Sequence, residues 1–245
     1  MIKLSNDTKE ILSYAIKYCS LVDIKTLMID KKGIRAKQDE KAVYLIEPGD
    51  FDFLEFDTFY TNRIQSLFPK IKMFEKSKID YDIHAELKTL KDDTTVVSKL
   101  KLSGGRTKVN FNTSMLTEKG LPKKMKDPEY YSFTINAEDL KILKDGISAM
   151  GAEEFKLYTT EEDKIDCEIT DIEQDVLTQN IAESFNKLHE DSEDSFEVKY
   201  NFKIIFPLLN EAGREKDKIK IKITRKGIMA LKINELSMYI FPESD

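Results

Sequence analysis

The sequence predicts an α+β chain made of two similar halves, each of antiparallel sheet plus two helices. Three observations carry this. A segment near the start recurs at a constant offset of 131 residues. Stretches with helical apolar spacing alternate with runs of period two. Between residues 115 and 130 two prolines, a glycine and mixed charge interrupt both patterns. The predicted organisation is therefore an N-terminal domain 1–114, a linker 115–130 and a C-terminal domain 131–245.

The repeat pairs Leu4 with Ile135, Ile11 with Ile142 and Leu12 with Leu143, then Ile16 with Ile147, Ile34 with Ile165 and Ala36 with Cys167. Each copy reads as a short strand, an amphipathic helix and a hairpin. In the first, Ser5 or Asn6 caps the helix, whose apolar face is Ile11, Leu12, Ala15, Ile16 and Cys19. In the second, Asn136 caps, and Leu140, Leu143, Ile147 and Met150 form the stripe. A further pair of segments matches at an offset of about 144. Phe51–Phe56 reads as a strand leading into a helix near Asn62–Phe68, and Phe196–Phe202 as a strand leading into one near Ile204–Ala212. The extra residues are expected in the acidic stretch around 188–194.

Each half closes with strands. Ile79, Tyr81, Ile83, Ala85 and Leu87 alternate with polar residues, the pattern of a sheet wet on one side. Leu100–Val109 is a hairpin turning at Gly104-Gly105. Lys218–Ile223 alternates strictly, and Met229–Phe241 supplies the final strands.

Of the 245 residues 40% are hydrophobic and 34% charged, a globular composition. No apolar run approaches the roughly 18–20 residues of a membrane helix, and the first residues lack a signal-peptide core. Cys19 and Cys167 sit in apolar patterns and read as reduced core thiols, which suits a cytoplasmic location. The net charge is −6, but it is uneven. Residues 1–130 carry 24 Lys and Arg against 20 Asp and Glu, whereas 131–245 carry 15 against 25. An acidic chain can still present a basic stripe.

Nothing in the sequence announces catalysis. There is no phosphate-binding glycine loop, nucleophile elbow, paired-histidine zinc motif or paired-cysteine motif. One constellation points the other way. Asp80, Asp82, His84 and Glu86 alternate along one strand face, as the ligands of a metal-dependent nuclease or phosphatase would. The wet side of a half-buried sheet accounts for them better, so no enzyme activity, metal or cofactor is expected.

The segments Met1–Leu12 and Phe133–Leu140 resemble the openings of the two domains in the processivity clamps of T4-like phages. The ending Leu236–Glu243 is similar to the closing strand and acidic tail of proliferating cell nuclear antigen. The resemblance implies a DNA clamp fold, with sheets outside and helices lining the central channel of a ring. It implies a homotrimer encircling duplex DNA without sequence preference and tethering a DNA polymerase. A clamp loader and the polymerase would bind through short peptides. The phage-like start implies a phage source and the host cytoplasm. A monomeric processivity or scaffold protein of the same fold is the remaining alternative.

On that resemblance, phosphate contacts are expected from Lys9 and Lys17 on the polar face of the first helix, from Lys141 and Lys144 on its repeat mate, from Arg63 on the second helix with Lys70 and Lys72 after it, and from Arg214 with Lys216 and Lys218 after the fourth. A partner-peptide groove is expected from Met115, Leu116, Leu121 and Met125 of the linker with Tyr239, Ile240, Phe241 and Pro242 of the tail.

Overall fold

The computed structural model describes residues 1–38, 43–114, 121, 125–151, 154–190, 195–215, 218–233 and 236–243, without the side chains of 147–150, 215 and 233. The chain divides into two compact units, residues 1–40 with 44–124, and residues 41–43 with 125–245.

The first unit runs β1 (Ile2–Lys3), α1 (Asn6–Leu21), β2 (Thr26–Asp30), β3 (Gly33–Lys37), β4 (Val43–Pro48), β5 (Thr58–Thr61), α2 (Ile64–Lys76), β6 (Asp82–Thr89), β7 (Thr95–Gly104) and β8 (Thr107–Asn112). It is one β-α-β-β-β pattern used twice. The strands lie in the order β1-β6-β7-β5-β2-β3-β4, with β8 also on β7.

Ser5 begins α1. Its extended backbone leaves the hydroxyl free to accept from the Thr8 N–H at 3.3 Å. Glu55, from the loop before β5, completes this cap by accepting from the Ser5 N–H and the Thr8 hydroxyl, each at 2.7 Å. Leu12, Ala15, Ile16 and Cys19 are fully buried as their spacing predicts. On α2 the buried face is Ile64, Leu67, Ile71 and Phe74. Each such large side chain contributes about 1.5–3 kcal/mol by leaving water. The two helices lie side by side on the sheet, and Ser20 donates to Gln65 at 3.4 Å between them.

The period-two runs fall on β6 and β7, whose Ile83, Ala85, Leu100 and Leu102 are buried. The β7–β8 hairpin turns at Gly105 (φ 55°) and Arg106. Gly104 is required by packing, since a Cβ there would sit 2.6 Å from the Asp80 carbonyl oxygen.

The second unit repeats the plan: β9 (Glu129–Asn136), α3 (Ala137–Met150), β10 (Glu154–Thr159), β11 (Ile165–Thr170), β12 (Val176–Ala182), β13 (Asn186–Lys187), β14 (Glu197–Asn201), α4 (Phe202–Glu215), β15 (Lys218–Thr224), β16 (Met229–Ile233) and β17 (Leu236–Ile240). Here β17-β16-β15-β9-β13 are neighbours, and β12-β11-β10-β14 form a separate sheet. Helices α3 and α4 pack together, with Gly213 admitting Leu140 so closely that a Cβ would meet its methyl at 3.0 Å.

Helices α1 and α3 start 131 residues apart, as the repeat requires. The second offset needs correction. Phe51–Phe56 is a loop of turns whose Phe51, Leu54 and Phe56 fold into the core; the strand is β5, beginning at Thr58. Both later helices carry an internal proline, Pro69 and Pro207, and aligning these sets the offset at 138 rather than about 144. Burial of aromatic side chains had imitated strand alternation.

Candidate nucleic-acid and partner surfaces

The candidate cations meet different surroundings on the four helices. On α1 the Lys9 ammonium donates to the Tyr81 carbonyl at 2.5 Å and stands 3.9 Å over the Tyr81 ring, so it braces β6 rather than reaching into solvent. Lys17, half-buried, lies 5.2 Å from the Tyr18 ring. Asp7 and Glu10 share the helix and offset both lysines. On α2 the Lys70 ammonium folds back onto the Ser66 carbonyl at 2.6 Å. Arg63, exposed just before that helix, sits 5.5 Å from the Phe111 ring, and Lys72 and Lys76 are exposed.

In the second unit Lys141 and Lys144 are exposed on α3, together with Glu138 and Asp145. Arg214 on α4 is held by Glu211 at 3.2 Å. Lys216 lies outside the described residues. Of the four helices α2 alone carries a clear excess of cations. Helical spacing points to Lys9, whereas Lys70 and Arg214 are expected beyond the ends of their helices; the fold places them within α2 and α4, and all three engage their own neighbours.

The expected apolar groove is divided. Met125 and Tyr239 come together with Pro128, Leu188 and His189 around a depression of about 390 Å³. Pro242 lines a different cleft, of about 560 Å³, with Tyr131, Phe196, Arg225 and Lys226. Ile240 belongs to neither. Side chains alternate along β17, so Leu236, Met238 and Ile240 face the core while Ser237 and Tyr239 face out. Leu121 and Phe241 are half-buried, and Met115 and Leu116 lie outside the described residues. The depression also takes Leu188 and His189, which sequence reasoning assigned to an acidic surface loop. They are brought there by β13, a two-residue strand too short to show periodicity, which pairs with β9 through Asn186–Ser132 and Lys187–Tyr131.

The acidic strand face is not arranged as a metal site. Asp82 forms an ion pair with Lys3 at 2.8 Å, and that hydrogen bond holds its carboxyl below the usual range. Asp80 lies 4.0 Å from Lys9. Among the described residues no group of three potential ligands stands close enough to hold a metal ion. Both thiols are buried, and burial pushes Cys167 up to about 12 and Cys19 higher still, so neither is a nucleophile.

Of the described edge strands, β8 with six residues and β12 with seven are the longest, against two in β1 and β13 and five in β14. Among the described residues β8 pairs with β7 alone and β12 with β11 alone. An exposed apolar side chain stands beside each. Beside β8, Ile79 packs against the β7–β8 turn and is 37% exposed. Ile172 and Val176 stand at the β11–β12 hairpin, and Ile142 lies on the part of α3 that crosses β12, between Asp139, which accepts from Gln179 at 3.1 Å, and Gly146, which abuts Leu177. An unpaired edge flanked by apolar side chains is a template for another chain.

The architecture has a solved counterpart. A crystal structure of proliferating cellular nuclear antigen from Entamoeba histolytica matches with a TM-score of 0.64, over 96% of this chain and 95% of that one, at 14% identity. The chain has the clamp fold. No protein-family model matches the sequence, and no curated protein does. No described helix is long and apolar enough to cross a membrane.

Proposed function

We propose that the chain is one subunit of a DNA sliding clamp, and that three copies close head to tail into a ring around duplex DNA. One observation carries the reading beyond the fold: the longest edge strands among the described residues are β8 in one unit and β12 in the other, each with an exposed apolar side chain beside it. Because the two edges belong to different patches, joining them is a heterologous contact, which propagates until it closes. In this reading the two units are the two domains of the clamp, joined by a linker across residues 115–130, and no chemistry is performed.

The helices face the duplex. Lys17, Arg63, Lys72, Lys141 and Lys144 make the phosphate contacts, while Lys9, Lys70 and Arg214 also bind neighbours within the chain. So few cations give weak, sequence-blind and salt-sensitive binding. A sliding protein needs that weakness, since closure rather than affinity keeps it on DNA. The depression at Met125 and Tyr239 receives short peptides of the polymerase and of the loader. A phage source, and with it the host cytoplasm, rests on the resemblance of residues 1–12 and 133–140.

Sedimentation at micromolar concentration tests the ring. A mass near three times 28.4 kDa is expected. A monomer at every concentration would sink the ring and leave a monomeric scaffold of the same fold.

A further inference from the structure

We propose that the exposed face of the β15–β16–β17 sheet is a docking track for an acidic peptide segment, leading away from the depression at Met125 and Tyr239. The proposal rests on the clamp reading in one respect, that a partner is anchored in that depression.

The track follows from alternation and register. On β15, Ile219, Ile221 and Ile223 are buried, so Lys218, Lys220 and Lys222 project from the opposite face. Their side chains repeat at roughly 6.6–6.8 Å, twice the rise per residue. Cross-strand partners share a face. Lys222 pairs with Ala230 and Ala230 with Tyr239, which puts Tyr239 beside the lysine row; Lys232 pairs with Ser237 on the same face. The lysines and the depression, whose apolar lining is Met125, Pro128, Leu188 and the Tyr239 ring, are thus continuous across three strands.

Two carboxylates compete, and Asp127, which lines the depression, is taken up by accepting from the Lys226 N–H at 2.9 Å. Glu129 bonds to Lys222 and also lines the depression. The β9 residues opposite Lys218 and Lys220 are the uncharged Asn136 and Thr134. Both lysines are exposed, and among the described residues neither has a carboxylate within ion-pair distance. The surroundings sharpen the contrast, because residues 131–245 carry ten more acids than bases. Lysines collected on one face of so acidic a segment form a local field opposite in sign to the rest.

That field selects a short acidic segment over a nucleic acid. At physiological salt it reaches about 8 Å, so it acts on groups lying on the sheet. A few acidic residues beyond an apolar anchor stay within the patch. A polynucleotide would run past it toward a surface that repels phosphate.

The test uses two labelled peptides with the same apolar anchor, one flanked by a run of glutamates and the other by glutamines, and reads fluorescence anisotropy. At about 50 mM salt the glutamate peptide should bind wild type about tenfold more tightly, and the preference should fade at about 300 mM. The preference should vanish in Lys218→Glu/Lys220→Glu and survive in Lys218→Arg/Lys220→Arg, with circular dichroism showing both variants folded. Equal affinity for the two peptides, or binding of neither, overturns the proposal. An oligothymidylate that binds as tightly as the glutamate peptide, with the same dependence on the lysines, reassigns the face to nucleic acid and overturns it too. Masses measured on the same samples separate this idea from the clamp reading. A trimer that ignores the flank removes the track alone, and a monomer that still prefers glutamate removes the ring alone.

Discussion

Replacing Ile142 and Ile172 together by aspartate should dissociate the ring while leaving each subunit folded. Ile142 is 58% exposed and Ile172 74% exposed in the single chain, so neither contributes much to the subunit core. Full burial of an isoleucine side chain is worth about 1.5–3 kcal/mol. Scaled by the surface still open to water, the two together supply about 3 kcal/mol to each contact between copies, before any charge is introduced. That is roughly a hundredfold in the association constant of each contact. Aspartate adds a desolvation penalty, and it lies near Asp171, Glu173 and Asp175 of the hairpin, so the estimate is a lower bound. Sedimentation velocity over a range of protein concentrations reads the loss, and the thermal midpoint reports subunit integrity. A double variant that stays trimeric at the wild-type concentration, with an unchanged midpoint, would refute the assignment of the β12 edge as a contact between copies.

Three further outcomes are expected. Reversing Lys72 and Lys141 to glutamate should shorten retention on closed circular DNA and leave the mass of the assembly unchanged; unaltered retention removes them from the channel. Gly33→Ala should destabilise the first unit by about 3 kcal/mol or more, read as a fall in its melting temperature of roughly 10 °C. Gly33 has φ 125°, and an added Cβ would lie 1.9 Å from the Glu47 carbonyl oxygen, which is backbone and cannot swing aside. The third outcome concerns pH. Desolvation raises the Glu55 pKa, but hydrogen bonds from Thr8 and Ser5 outweigh it and bring it below the ordinary carboxylate value. A lowered folded pKa means that the stabilisation is full above the unfolded value and is lost as pH falls through the folded one. Glu55→Gln should therefore melt below wild type near neutrality, and the gap should close as the pH drops below the usual carboxylate range. A gap that persists in acid would show that the carboxylate charge is not what caps α1.

Much of the fold was legible from the residues. Helix α1 was readable because Ser5 can cap and Leu12, Ala15, Ile16 and Cys19 recur at helical spacing; β6, β7 and β15 were readable because one of their faces is wet. The segment Phe51–Phe56 misled for a physical reason. A loop whose aromatic side chains fill a core can alternate apolar and polar residues without pairing to anything. Strand β13 was missed because two residues carry no period.

The surfaces were less legible than the elements. Helical phase points to Lys9, while Lys70 and Arg214 are expected beyond the ends of their helices, and neither signal says what a charge will meet. Tyr81 lies 72 residues from Lys9, and its carbonyl and ring engage the ammonium only once β6 lies beside α1. Likewise Met125, outside any strand, and Tyr239 on β17 line one depression only in the folded chain, while Ile240, one residue on, is turned into the core by the alternation of β17.

Local spacing, caps and the repeat thus determined by themselves that the chain is α+β with a doubled plan, because those signals operate over a few residues. Which edges stay unpaired, which lysines remain available, and that the lysines of β15 and β16 share a face with Tyr239 were decided only by tertiary structure. Those properties depend on cross-strand neighbours far apart in the chain, and no local pattern encodes them.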